Sequence, residues 1–212
     1  MTKRGLFISI EGVEGVGKST NLAFIQSLLA AQDIPFVTTR EPGGTPLAEK
    51  IRDLLLDKNN TEMADITELM LVFAARAQHV SVLIEPALSR GEWVICDRFT
   101  DSTYAYQGGG RNTSSDLIQS IDEVALKQYQ PDITLLLDLP IEVGLERASQ
   151  RGELDRFETE SVDFFKRVRD TFLLRASREP ERFRPIDASK SLDDVQVAIE
   201  IVIKQAIEGW HE

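Results

Sequence analysis

The sequence predicts a three-layer α/β fold, about five parallel strands with helices on both faces, and three observations predict it. Five short runs of aliphatic and β-branched residues recur along the 212-residue chain. Stretches of helical periodicity lie between them, so successive strands are joined by helical crossovers and pair in parallel. The first run ends in glycines that open directly onto a helix, the layout of a phosphate-binding turn.

Leu6 to Ile10 is almost wholly apolar, as a strand covered on both faces should be. A helix is expected from Lys18 to about Ala31. Strand runs then recur at Pro35 to Thr38, Glu92 to Cys96, Ile133 to Asp138 and, more weakly, Phe183 to Asp187. The helical stretches between them are Pro46 to Leu56, Thr67 to Arg90, Ser114 to Gln128, Ile141 to Gln150, Ser161 to Arg178 and Leu192 to Glu208. No repeat, low-complexity tract or Pro/Gly/Ser linker divides the chain, so residues 1–212 read as a single domain.

Composition narrows the function classes. With 24 Lys and Arg against 35 Asp and Glu, the net charge of −11 repels nucleic acid polymers and anionic lipid, so any bound anion needs a local site. The single cysteine, Cys96, sits in an apolar run and reads as a reduced core thiol. Met1-Thr2-Lys3-Arg4 is basic like a signal n-region, but the apolar run after it stops at Glu11, and no stretch reaches the ~18 apolar residues of a membrane span. The expectation is a cytoplasmic protein without a signal peptide or membrane segment. Against the acidic background, residues 147 to 184 hold ten Lys and Arg and eight Asp and Glu.

Gly12-Val13-Glu14-Gly15-Val16-Gly17-Lys18-Ser19 matches G-x-x-x-x-G-K-[ST] between the first strand and the first helix, which makes the fold a P-loop NTPase type. Glycines let backbone N–H groups turn around a phosphate and the helix N-terminus adds its dipole. Lys18 then reaches the β/γ-phosphates and Ser19 offers a hydroxyl to Mg²⁺, with Thr20 continuing the ATP-binding stretch. Such a loop serves kinases, GTPase switches and ATP-driven motors alike. The chain has no N-K-x-D guanine-reading tetrad and no second ATPase-sized module, which leaves a small kinase leading. Asp97 and Arg98 end the third strand run, at the carboxyl edge where open α/β sheets bind ligands. There Asp97 would face the metal or its waters, and Arg98 would present a planar fork to a phosphate.

Gly12 to Ser19, Arg40-Glu41-Pro42-Gly43-Gly44-Thr45, Asp97-Arg98-Phe99, Ala105-Tyr106-Gln107-Gly108-Gly109-Gly110-Arg111 and Arg151-Gly152-Glu153-Leu154-Asp155-Arg156 together resemble the bacterial thymidylate kinases, in order and over almost the whole chain. The resemblance implies transfer of the γ-phosphoryl of ATP to dTMP, giving dTDP and ADP, with Mg²⁺. It puts Arg52 and Arg98 at the dTMP phosphate, Glu14 near the sugar and metal, and Glu41 in the pocket wall. Thr103 and Gln107 match positions lining the base pocket, and Tyr106 the ring that crowds the 2′ position. Phe73 and Arg76 lie one helical turn apart, so one can stack on the base while the other donates to its carbonyl. The family's usual spacing is Phe followed four residues later by Arg; here it is three, with Val72 in the other slot.

No arginine precedes Gly17 in the phosphate loop, so the resemblance points to the family branch with its catalytic arginine in a closing lid, about residues 147–158. Arg151 is expected to meet the transferring phosphoryl, with Arg147 and Arg156 assisting at the ATP side. The family also implies a homodimer through long helices, for which Thr67 to Arg90 is the natural candidate. His79 and His211 have no Cys or His at ligand spacing, which argues against a zinc site. Two alternatives stay open at this point: a kinase for dUMP or UMP, and a nucleotide-dependent switch protein using the same loop.

Overall fold

The computed structural model describes residues 3–127, 129–149 and 156–211. Strands β1 (Phe7–Glu11), β2 (Phe36–Arg40), β3 (Trp93–Asp97), β4 (Ile133–Asp138) and β5 (Phe183–Asp187) form one parallel sheet in the order β2-β3-β1-β4-β5. Strand β1 is central: Ile8 pairs with Ile95 on one side and Ile133 on the other. All five of its residues are buried, which is why its sequence is a continuous run and not an alternation.

Successive side chains still point to opposite faces. Ile8, Ile10, Trp93 and Ile95 enter a core under α1 (Lys18–Ala30), α8 (Val162–Arg178) and α9 (Leu192–His211). Phe7, Val94 and Cys96 enter a second core under α3 (Asp65–His79), α4 (Glu85–Ser89) and α6 (Ser115–Leu126), together with Leu69, Phe73 and Phe99. Each fully buried Ile, Leu or Phe contributes about 1.5–3 kcal/mol. The remaining helices are α2 (Pro46–Leu56), α5 (Thr100–Thr103) and α7 (Ile141–Ser149).

The stretch expected as one long helix, Thr67 to Arg90, is instead α3, a π-helical turn at Val80–Ile84, and α4. Pro86 accounts for the break, since it has no N–H to give and its ring would strike the carbonyl four residues back. The Glu85 N–H accordingly reaches back five residues, to the Val80 carbonyl. By length and average hydropathy Asp65–Ser89 would suffice to cross a membrane, but it carries Glu68, Arg76 and His79 into the interior, where each meets a partner.

After β3, α5 runs straight into a π-helical segment at Tyr104–Gly110, which packs on α8. A Cβ on Gly110 would come within 2.3 Å of the Phe164 ring, so this glycine serves close packing and not phosphate binding. The carbonyl ends of β1 and β3 thus meet the phosphate loop on one side and this segment on the other, where strand order reverses.

Candidate active site

The phosphate loop leaves β1 through Gly12 and enters α1 through Gly17, whose φ of 87° suits only glycine comfortably. Lys18 Nζ donates to the carbonyls of Gly12 and Val13 at 3.1 and 3.0 Å. Burial, with Arg98 nearby, pushes its pKa down to about 8. The loop rests against α7 backbone to backbone: a Cβ on Gly144 would lie 2.6 Å from the Glu14 carbonyl oxygen, and one on Gly15 would collide with the Gly144 carbonyl.

Arg98 has a φ of 69°, a conformation that typically costs a non-glycine residue about 1–3 kcal/mol. Its guanidinium shows what holds it there. It donates to Gly12 O at 3.0 Å, Ser102 Oγ at 3.2 Å and Glu14 Oε1 at 2.9 Å, and lies 4.8 Å from the Tyr106 ring centre. Burial opposes its charge, but Tyr106, Glu14, Asp97 and Glu11 together raise its pKa above the ordinary arginine value. The Tyr106 hydroxyl donates to Glu14 at 2.7 Å. Beneath Arg98, the fully buried Glu11 accepts from the Phe99 N–H at 2.7 Å and the Ser102 hydroxyl at 2.6 Å. Burial and the nearby Asp101 push its pKa up to about 8.

Glu14, Lys18, Arg98, Ser102 and Tyr106 line one cleft, which has roughly 1120 Å³ of empty space counting its open mouth. Ser19, Val72, Arg76, Asp97, Thr103 and Gln107 line it as well. Arg52 reaches it from α2, donating to Pro42 O at 2.8 Å. Arg76 is 2% exposed, with Nε on Glu41 at 2.5 Å and one Nη on Phe99 O at 3.2 Å. Among the described residues its other terminal nitrogen, Nη1, is buried without a hydrogen-bond partner, as are Thr103 Oγ1 and Asp97 Oδ1.

Two expectations need correction. Phe73 is not in the cleft: it is 2% exposed in the core with Leu69 and Phe99, and the cleft wall at this turn is Val72. A helix turns 100° per residue, so the three-residue spacing to Arg76 turns the ring off the face that Val72 and Arg76 share. Arg156 is not on the ATP side: Nε donates to Leu55 O at 2.8 Å and the guanidinium pairs with Glu68 at 2.6 Å, beside the acceptor cleft. Glu41 lines the cleft as expected, and with both its oxygens engaged by Arg76 and His79 it also orients Arg76. Of the remaining expected residues, Val13 and Val16 pack the phosphate loop onto the core and Thr20 is exposed on the first turn of α1. Arg147 reaches the Ala188 carbonyl at 3.4 Å, and Arg151 lies outside the described residues.

Sequence reasoning missed four residues that organise the cleft. His79 is fully buried and bridges Glu41 and Thr39, at 2.9 and 2.7 Å. Glu68 on α3, Glu11 and Ser102 are the others. The one available signal was that Glu68, Arg76 and His79 interrupt the apolar side of a helix, where a charge needs a buried partner.

Among the described residues no group of three or more His, Cys, Asp or Glu could hold a metal ion by itself. Magnesium in nucleotide sites takes one or two carboxylates plus phosphate oxygens and water, and Asp97, whose Oδ1 has no partner among the described residues and which lines the same cleft as Ser19, fits that smaller donor set.

The thymidylate kinase family model matches residues 10–199. Relatives named thymidylate kinase include one from Pseudomonas syringae pv. tomato, 54% identical over 96% of this chain and 97% of its own. Another, from Teredinibacter turnerae, is 54% identical over 92% of this chain and 96% of its own. A crystal structure of thymidylate kinase from Ehrlichia chaffeensis superposes with a TM-score of 0.76 at 31% identity, covering 95% of this chain and 99% of that one.

Proposed function

The chain belongs to the thymidylate kinase family and is an ATP-dependent kinase that converts dTMP to dTDP; from that premise we propose how its residues divide the work. Amides of Gly12 to Ser19 cradle the ATP phosphates and Lys18 neutralises their charge. Arg98 and Arg52 hold the dTMP phosphate, with Arg98 turning from Glu14 towards that anion. A nucleotide phosphate with a second pKa near 6 is already ionised at neutral pH, so its oxygen attacks the γ-phosphorus without a general base. As ADP departs, the developing charge is met by Lys18 and by Arg151, whose role rests on the sequence resemblance. Ser19 and Asp97 would hold Mg²⁺, which when bound neutralises phosphate charge. Arg147 serves the ATP side.

The observation that carries the acceptor assignment is the pair of buried, unpartnered groups, Arg76 Nη1 and Thr103 Oγ1, in a cleft that also contains the phosphate loop. A buried donor left unpaired costs about 1–3 kcal/mol, which a base carbonyl accepting from Arg76 recovers. Tyr106, its ring against Arg98, crowds the sugar. For the homodimer, the exposed apolar residues Ile66 and Met70 of α3 and Val124 of α6 supply a face that a second copy can cover. The working compartment is the cytoplasm.

Steady-state ADP release with and without dTMP, then with dUMP and UMP, tests the reading. Release should depend on an acceptor and favour dTMP; slow hydrolysis indifferent to dTMP would refute it. Arg151→Ala should lower turnover at least tenfold with dTMP affinity nearly unchanged, and wild-type turnover in that variant would remove Arg151 from the mechanism.

A further inference from the structure

Glu68 is 1% exposed, a carboxylate buried on the side of α3 that faces the acceptor cleft. It precedes Val72 by four residues and Arg76 by eight, so the three follow one another along a single helix face. Its Oε2 meets the guanidinium of Arg156 at 2.6 Å and that of Arg111 at 3.5 Å. Its Oε1 accepts from Nε2 of Gln107 at 2.8 Å. Gln107 is itself 3% exposed and lines the cleft.

A side-chain amide has a donating end and an accepting end, and the two differ little in shape, so its neighbours decide which end faces a ligand. A carboxylate held by two guanidinium groups only accepts. It therefore takes the NH₂ end of Gln107 and turns the carbonyl oxygen the other way. We propose that Glu68 is a specificity-determining positioning residue: by fixing the Gln107 amide it presents Oε1 to the base, so the pocket selects a pyrimidine with an N–H at ring position 3.

The inference rests on the acceptor pocket proposed above. Thymine and uracil carry a hydrogen on N3 and a carbonyl at position 4, which match Gln107 Oε1 and the unpartnered Arg76 Nη1. Cytosine carries a lone pair on N3 and an amino group at position 4. Against it, oxygen would face lone pair and guanidinium would face amine, two unpaired polar contacts in a dry site. Sites built on such hydrogen bonds reject the mismatched ligand by about 10⁴–10⁵-fold. With a neutral amide at position 68 the Gln107 amide is free to turn over, since an amide partner accepts as well as donates.

The test compares kcat/KM for dTMP and dCMP in the wild-type enzyme, Glu68→Gln and Glu68→Asp. Wild type should strongly prefer dTMP. Glu68→Gln should reduce the dTMP-to-dCMP ratio at least tenfold, chiefly through KM of the acceptor, with KM for ATP little changed. Glu68→Asp, which keeps an acceptor-only group, should retain more of the ratio than Glu68→Gln. A wild-type enzyme without the preference would refute the acceptor pocket itself. A preference kept intact in folded Glu68→Gln would overturn only the role of Glu68. Because removing a buried charge can unsettle the fold, a second readout leaves Glu68 in place. The Gln107 side-chain amide is assigned by NMR through its absence in Gln107→Leu, and its Nε2 protons in the wild-type protein should exchange slowly with solvent, with and without dTMP. Free exchange in the unliganded protein would overturn the proposal.

Discussion

Gly144→Ala isolates the contact between α7 and the phosphate loop. The added Cβ would sit 2.6 Å from the Glu14 carbonyl oxygen, about 0.8 Å short of the 3.4 Å at which ordinary contact begins. The neighbour is main chain, so no side-chain rotation relieves the clash, and either the loop or α7 must move by most of that distance. Misplacing reacting groups by about 1 Å can cost roughly 100-fold in rate. A displacement of this size at the loop that carries Glu14 and leads to Lys18 should therefore lower kcat/KM for ATP by about 30- to 100-fold, equivalent to about 2–2.7 kcal/mol. Stability should change little or fall, because the gain of about 1 kcal/mol from Gly→Ala within a helix is offset by the overpacking, which typically costs about 1–3 kcal/mol. The assay is steady-state ADP formation with ATP varied at saturating dTMP, beside a thermal melt. A folded Gly144→Ala enzyme with wild-type kcat/KM for ATP would show that the loop is not held by this contact.

Lys18→Ala should lose nearly all phosphoryl transfer, and full activity would refute the phosphate-loop assignment. Because the Lys18 pKa is lowered to about 8, kcat/KM for ATP should decline as pH rises past about 8, when the free enzyme loses that proton; Lys18→Arg should remove this limb from the pH profile. Glu11 shifts the opposite way in its effect on folding: a carboxyl raised from 4.5 to about 8 binds more protons folded than unfolded. Its stabilising contribution is full below about pH 4.5 and is lost as pH rises through about 8, so Glu11→Gln should flatten the fall in Tm between pH 5 and 8; equal slopes would refute this. Phe73→Ala should cost about 3–5 kcal/mol by denaturant unfolding with dTMP affinity changed only a few-fold, whereas Val72→Phe should change KM for dTMP directly. Lost affinity without lost stability in Phe73→Ala would return the ring to the cleft.

Much of the architecture was readable because it rests on local patterns. The strand runs fell within a residue or two of β1 to β5; for the inner strands β1, β3 and β4 this is because a strand covered on both faces reads as a nearly continuous apolar run. The phosphate loop was readable because a backbone cradle needs glycines at set spacing and a lysine after them. Phe73 was misplaced for a reason of angle: a shift of one residue on a helix changes the facing by 100°, and residue type alone does not reveal it. Arg156 was misplaced because its partners, Leu55 and Glu68, lie 101 and 88 residues away along the chain.

The order of amino acids was enough to establish a parallel α/β sheet, a phosphate loop and an arginine-rich acceptor edge, because each of these depends on near neighbours and on periodicity. Folding in three dimensions chose which way the ionisable groups point: Glu41 onto Arg76 and His79, Glu11 under Arg98, Glu68 onto Gln107 and Arg156. Buried polar and charged groups must find partners wherever the chain brings them together, and those meetings across 35 to 91 residues leave no local pattern to read.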